Sequence, residues 1–218
     1  MLRRKQVADF VETESLFDRP GADLAGADRI WTAAENSGLR VNMAWPGGSA
    51  PLLSDMLSRA KPTAVFSRSS ISAAECQALA ASSAIAVFSP NRELVDSLAG
   101  DAARRLAATG GAIALSSGYD PWHSPNFSMQ LAMALAVVQL QLTPEEAITA
   151  ATINAAYAIG AGDFTGSLEG GKKADLLVMN VRHYRDIPAH LGINKVLWAM
   201  RDGKIALDNR AAYKARQN

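Results

Sequence analysis

Cysteine is almost absent from this chain. Cys76 is the only one in 218 residues, so no internal disulfide can form and no cysteine-built zinc cluster exists. Histidine is nearly as scarce: His123, His183 and His190 are all there are, and none lies in the first 122 residues. Charge of one sign is lacking too. Lys and Arg number 22 against 21 Asp and Glu, a net +1, which gives no electrostatic reason to expect nucleic acid or an anionic membrane as partner. The longest apolar-rich run, Leu131 to Leu140, is broken by Gln139 and falls short of the ~20 residues a membrane span needs. The basic start, Met1 to Gln6, is not followed by an apolar signal core, so the expected location is cytoplasmic.

What is present is the profile of an ordinary globular protein, 49% apolar and 20% charged. Short apolar runs alternate with helical patterns. Val7–Val11, Leu39–Ala44, Ala64–Phe66, Ala84–Phe88 and Ala112–Leu115 read as strands. Between them lie helices with apolar faces such as Leu24, Ala27, Ile30, Trp31 and Ala34, or Leu52, Leu53, Met56 and Leu57. Ser49 suits an N-cap, Ser72 with Glu75 forms a capping box for a helix over 73–82, and residues 92–108 are helical in pattern. Alternation at this spacing predicts an α/β protein with about five parallel strands. Three helical patterns follow, Phe127–Gln141, Thr143–Ala150 and Ile153–Ile159, the last ended by Gly160. Short strands close the chain at Ala174–Met179, Val196–Met200 and Lys204–Leu207, with Asp202-Gly203 as the hairpin turn.

Chemistry in such a protein is usually mounted where strands end. The run from Ala112 to Leu115 opens into Ser116, Ser117, Gly118, Tyr119, Asp120, Pro121, Trp122, His123, Ser124 and Pro125. Asp120 and His123 are close enough in sequence to act as an acid–base couple, although loop capping and a solvated imidazole are the simpler reading. Ser116, Ser117 and Ser124 lack the Gly-x-Ser-x-Gly setting of a hydrolase elbow. Glu145 and Glu146 after Thr143-Pro144 read as a helix start, and Cys76 as a small buried hydrophobe. His183 and His190, seven apart across Pro188, read as structural. Lys172 and Lys173 read as a solvated turn, and the Gly pairs at 47–48, 110–111 and 170–171 lack a phosphate-binding context.

The loop after Leu115 resembles a run of the imidazolonepropionases, amidohydrolase-superfamily enzymes of histidine degradation that open an imidazolone ring. The likeness continues through Ser128-Met129, Leu142 to Ala147, Thr152 to Ala156, Gly166 to Leu177, and Tyr184 to Gly192. It implies a partial TIM-like (β/α) barrel over residues 1–165 and, over 166–218, strands of a small β-sandwich with the C-terminal tail. It also implies a zinc or iron ion held by several His and one Asp, with the family's first barrel strands lacking a counterpart here. Laid on this sequence, the metal positions fall on Ala44, Ser67 (with Phe66 before it) and Gly118, and an acid that acts on substrate falls on Gly47. Asp120 lies where the family has a substrate-binding Asn, Trp122 where it has Gly, and His123 where it has Ser. Asp120, Trp122, His123 and Ser124 are thus the candidate ligand-binding residues, and Asp120 and His123 the only candidate catalytic ones. Trp122 is expected to fill part of the old pocket. The resulting expectation is a truncated, metal-free pseudoenzyme acting as a binding or structural subunit, as a homodimer or with a complementing chain that closes the barrel. The alternative is an active hydrolase of cyclic amides completed by a partner chain.

Overall fold

A computed structural model describes residues 10–12, 24–45, 47–67, 71–91, 100–122 and 124–211. The first sheet takes its strands in sequence order, β1 (Phe10–Glu12), β2 (Arg40–Trp45), β3 (Ala64–Ser67), β4 (Ile85–Phe88) and β5 (Ile113–Leu115), every pair parallel. Parallel neighbours need crossovers. They are α1 (Leu24–Asn36), α2 (Ala50–Ala60), α3 (Ala73–Ala80) and α4 (Gly100–Ala108). This is the wall of a partial (β/α) barrel. Residues 7–9 of the first expected strand and 92–99 of the fourth helix lie outside the described residues.

Local chemistry sets the helix starts. Ser49 accepts the Leu52 N–H with Pro51 in the first turn, and Ser72 exchanges bonds with Glu75 in a capping box. The next helix, α5 (Met129–Val138), starts two residues later than its apolar pattern because Ser128 caps it, and it ends before Gln139, with Gln141 at φ +54°. Thr143 and Glu146 form the capping box of α6 (Pro144–Ala151), which is followed by α7 (Ile153–Ala158).

The two faces of the sheet are covered unequally. Val41, Met43, Trp45, Val65, Ala86, Phe88, Ile113 and Leu115 point to α1–α6 and form the main core. Burying side chains such as Phe88 and Met43 completely contributes roughly 1.5–3 kcal/mol each. On the opposite face Ala64, Ile85, Val87 and Ala114 make a smaller cluster, closed by Ala155 and Ala158 of α7. Hence β4 is buried along its whole length, as a parallel strand covered on both faces should be. On β2, by contrast, that inner face shows an exposed Arg40 and a half-buried Asn42.

The tail forms a separate antiparallel sheet of β6 (Leu176–Met179), β7 (Val196–Arg201) and β8 (Lys204–Asp208). Asp202 and Gly203 both take positive φ, 48° and 76°, as a two-residue hairpin turn of this kind requires. The 3-10 turn Tyr184–Asp186 docks on α6, where Arg185 and the Tyr184 hydroxyl both donate to Glu145. Among the described residues no helix is long and apolar enough to cross a membrane.

The acids of α6 make the fold sensitive to acid. Burial pushes Glu146 upward, but the Thr143 backbone N–H and the Arg104 guanidinium, bidentate at 2.9 and 3.1 Å, outweigh it and hold the carboxyl below its ordinary 4.5. Glu145 is likewise held down, first by its own backbone N–H and then by Arg185. Both groups bind protons more weakly in the folded chain than in the unfolded one. Their stabilisation is therefore complete above the ordinary value of 4.5 and is lost as pH falls through the lowered folded values. The melting temperature should drop over that window, and Arg104→Met should make the drop shallower.

Candidate functional site

The carboxyl ends of β2, β3 and β5 bring the mapped positions to one rim of the sheet. Ala44 pairs in register with Phe66, and Trp45 with Ser67. Strand alternation places Ala44 and Phe66 on the inner face together: Met43, Trp45 and Val65 belong to the helix-side core, and Phe66 packs with the inner cluster. A buried methyl group and a half-buried ring thus stand side by side at this rim. Gly118, three residues beyond β5, adopts φ +59°, and its N–H donates to the Ser116 hydroxyl at 3.0 Å. Gly47 follows β2 with φ +99°.

The donor set does not fit a catalytic metal. Four-coordinate zinc takes its ligands from Cys, His, Asp or Glu, with three protein ligands even in open catalytic sites. Of the mapped positions, Ala44 and Gly118 offer no side-chain lone pair and Ser67 only a hydroxyl, which is not among these ligands, and no group of three or more His, Cys, Asp or Glu that could hold a metal occurs among the described residues. Gly118→Asp is expected to lower the melting temperature by about 2–4 °C, since a side chain in the left-handed region costs roughly 1 kcal/mol or more. It should recruit no zinc, because the companion positions stay Ala44 and Ser67, neither of them a zinc ligand of the usual kinds. Stoichiometric zinc in that variant would contradict this.

The loop beyond Gly118 is locally tied. Asp120 and Ser124 exchange backbone bonds of 3.0 and 2.9 Å, and the Asp120 carboxylate accepts the Trp122 N–H at 2.8 Å. This is an Asx turn, the loop-capping role expected for the residue. His123 lies outside the described residues. Trp122 departs from expectation: its ring is 87% exposed and fills no pocket. Tyr119 and Phe127 are also exposed and meet edge to face at 6.1 Å between centroids. Ser124 is 3% exposed and its hydroxyl has no hydrogen-bond partner among the described residues. A solvent-open hollow of about 320 Å³ lined by Leu57, Lys61, Pro62 and Ala84 lies at the amino ends of β3 and β4, away from this rim.

Other candidates sort by their contacts. His183 caps the 3-10 turn, its Nδ1 accepting the Arg185 N–H, so it is structural as expected. Lys172 is not solvated: its side chain is 12% exposed and bonds the Ser167 hydroxyl at 2.7 Å and Glu169 at 3.3 Å. Lys173 pairs with Asp202 in the open, as a turn lysine should. Cys76 is fully buried, and that burial pushes its thiol pKa up. Sequence reasoning missed three ties that hold the rim and the floor. The Trp45 indole donates to buried Glu75 at 2.8 Å. Asn91, after β4, donates to the Asn126 carbonyl at 3.2 Å. Asn154 donates to the Ile113 carbonyl at 2.7 Å. Only Asn154 carried a sequence signal, its place in the Thr152–Ala156 block.

An open parallel sheet with helices on its outer face and a rim at its strand ends defines part of a (β/α) barrel, and the chain belongs to the amidohydrolases, since that family's model (Amidohydrolase family) matches residues 59–206. Within the family it is imidazolonepropionase-like. It is 38% identical over 167 residues to the imidazolonepropionase of Deinococcus radiodurans, covering 77% of this chain and 42% of that protein. Against the imidazolonepropionase of Geobacillus kaustophilus it is 43% identical over 111 residues, 51% of this chain and 26% of the relative. The chain thus spans about a quarter to two fifths of the length of these relatives. Among solved structures, an amidohydrolase from a Sargasso Sea environmental sample matches with a TM-score of 0.71 at 16% identity, over 96% of this chain and 52% of that one. An adenosine deaminase from Xanthomonas campestris with bound zinc matches at 0.69 and 19% identity, over 89% and 53%.

Proposed function

We propose that this chain is an imidazolonepropionase-like barrel unit that holds no catalytic metal of its own and serves as a binding or structural subunit. The observation that carries this reading is the rim itself: the positions mapped to metal ligands are Ala44 at the end of β2, Ser67 at the end of β3, and Gly118 in a left-handed turn held by Ser116. Replacing ligands by small or apolar groups leaves no buried ionised group unpaired, so the fold tolerates the loss. The stretch that carries Asp120, Trp122, His123 and Ser124 is the place where a small molecule would be bound. In this reading residues 1–165 are the barrel part and 166–218 the sandwich part, and further strands complete the barrel. The test is ring opening of imidazolonepropionate by the purified protein, with and without added zinc or iron. No turnover above the uncatalysed rate is expected. Metal-dependent turnover abolished by a change at the rim would replace this reading with that of a cyclic-amide hydrolase.

A further inference from the structure

We infer that the hollow between α2 and α3 is a binding site for a small organic monoanion, an aliphatic monocarboxylate. It lies where the two helices end, at the amino ends of β3 and β4, and so at the opposite end of the sheet from the rim. Its volume, about 320 Å³, is at the small end of the range for small-molecule sites. Every residue that lines it is among those described, and Lys61 is the only charged one. Among the described residues the Lys61 ammonium has no ion pair, and the Ser54 and Ser83 hydroxyls beside it in the lining have no hydrogen bond. The other two serines of the hollow are tied locally, Ser58 donating to the Asp55 carbonyl at 2.7 Å and Ser82 to the Leu79 carbonyl at 2.8 Å. Asp55 is the only acid of α2, and Arg59, which reaches on to Asp28 of α1, holds its carboxylate. No acid of α2 is left to pair with Lys61.

The backbone at Lys61 points the same way. Lys61 caps α2 in the left-handed region, φ 42° and ψ 53°, with its N–H on the Leu57 carbonyl at 3.1 Å. Glycine is the usual residue in such a place, as Gly38, Gly110 and Gly160 are after α1, α4 and α7. A lysine there bears a conformational cost that glycine would not, and it sets a cation in the wall of the hollow. The surroundings select the ligand. The last carbonyls of α2 and α3 carry partial negative charge toward this end. They oppose a dianion such as phosphate and leave one negative charge for Lys61 to balance. A carboxylate suits this set, because its two oxygens can accept from the ammonium and from the Ser54 and Ser83 hydroxyls. Buried Leu57, Pro62 and Ala84, with half-buried Ala78, make the rest of the lining apolar, which fits a body of a few carbons.

The experiment titrates the isotope-labelled chain with pentanoate at constant ionic strength and follows the backbone amides by NMR. Saturable shifts at Ser54, Ser58, Lys61 and Ser82 to Ala84 are expected, with a dissociation constant of about 1 mM. Lys61→Met should weaken binding by about tenfold or more, whereas Lys61→Arg should stay within about threefold. Lys61→Gly should lose binding as Lys61→Met does without melting lower, because glycine relaxes the left-handed turn. That variant separates a lost cation from a damaged helix end. Pentanol and inorganic phosphate at the same concentrations should leave these amides unshifted. Absence of saturation, shifts scattered away from the hollow, equal binding of the alcohol or of phosphate, or indifference to Lys61→Met would each overturn the inference.

Discussion

Glu75→Ala is expected to lower the melting temperature by roughly 6–12 °C, from a loss of about 3 kcal/mol. Glu75 is 3% exposed, and its carboxyl group accepts the Trp45 indole N–H and the Ser72 backbone N–H, each at 2.8 Å. Alanine removes half of the capping box on α3 and leaves a buried indole N–H without an acceptor. The loss reaches the rim, because Trp45 ends β2 beside Ala44 and its ring packs under Gly48 in the following loop. Glu75→Gln keeps one side-chain oxygen for two donors and should recover about half of the stability. Thermal denaturation of the three proteins checks this; equal melting temperatures for alanine and wild type would show that the Trp45 bond contributes nothing.

Gly111→Ala should cost about 2 kcal/mol, or roughly 4–8 °C, and Gly110→Ala only about half as much. The two neighbours differ in kind. Gly110 has φ +80° and open space around it, so alanine meets conformational strain alone. At Gly111 a Cβ would lie 2.3 Å from Leu106 Cδ1 and 2.7 Å from Cγ. Leu106 is fully buried, and its carbonyl accepts the Gly111 N–H at 2.9 Å, so neither can yield easily. The clash falls where the chain enters β5, the strand that carries the Gly118–Ser124 loop. A larger loss for Gly110→Ala would place the constraint in the backbone instead.

Local signals made most of the fold legible. Ser49, Ser72 and Thr143 cap the helices their spacing indicates, and Asp202-Gly203 turns the hairpin. These depend on residues a few positions apart. The bonds from Asn154 to β5 and from Trp45 to Glu75 join residues 41 and 30 apart, which no periodicity reveals. Trp122 shows the converse limit. Replacing a glycine by tryptophan suggested a filled pocket, but the Asx turn at Asp120 places the ring in solvent. Lys172 read as a turn lysine and is nearly enclosed, because Ser167 and Glu169 fold back over its ammonium group.

At the rim, the positions that the resemblance maps to metal ligands are Ala44, Ser67 and Gly118. Restoring one of them leaves the other two without a usual ligand side chain, and Gly118 stands in a left-handed backbone conformation that costs any side chain, an Asp less than most. The most direct test is elemental analysis of the purified chain after equilibration with zinc and with iron(II), followed by desalting. The account predicts metal far below one ion per chain. About one tightly held ion per chain, lost when a side chain at this rim is replaced, would contradict it.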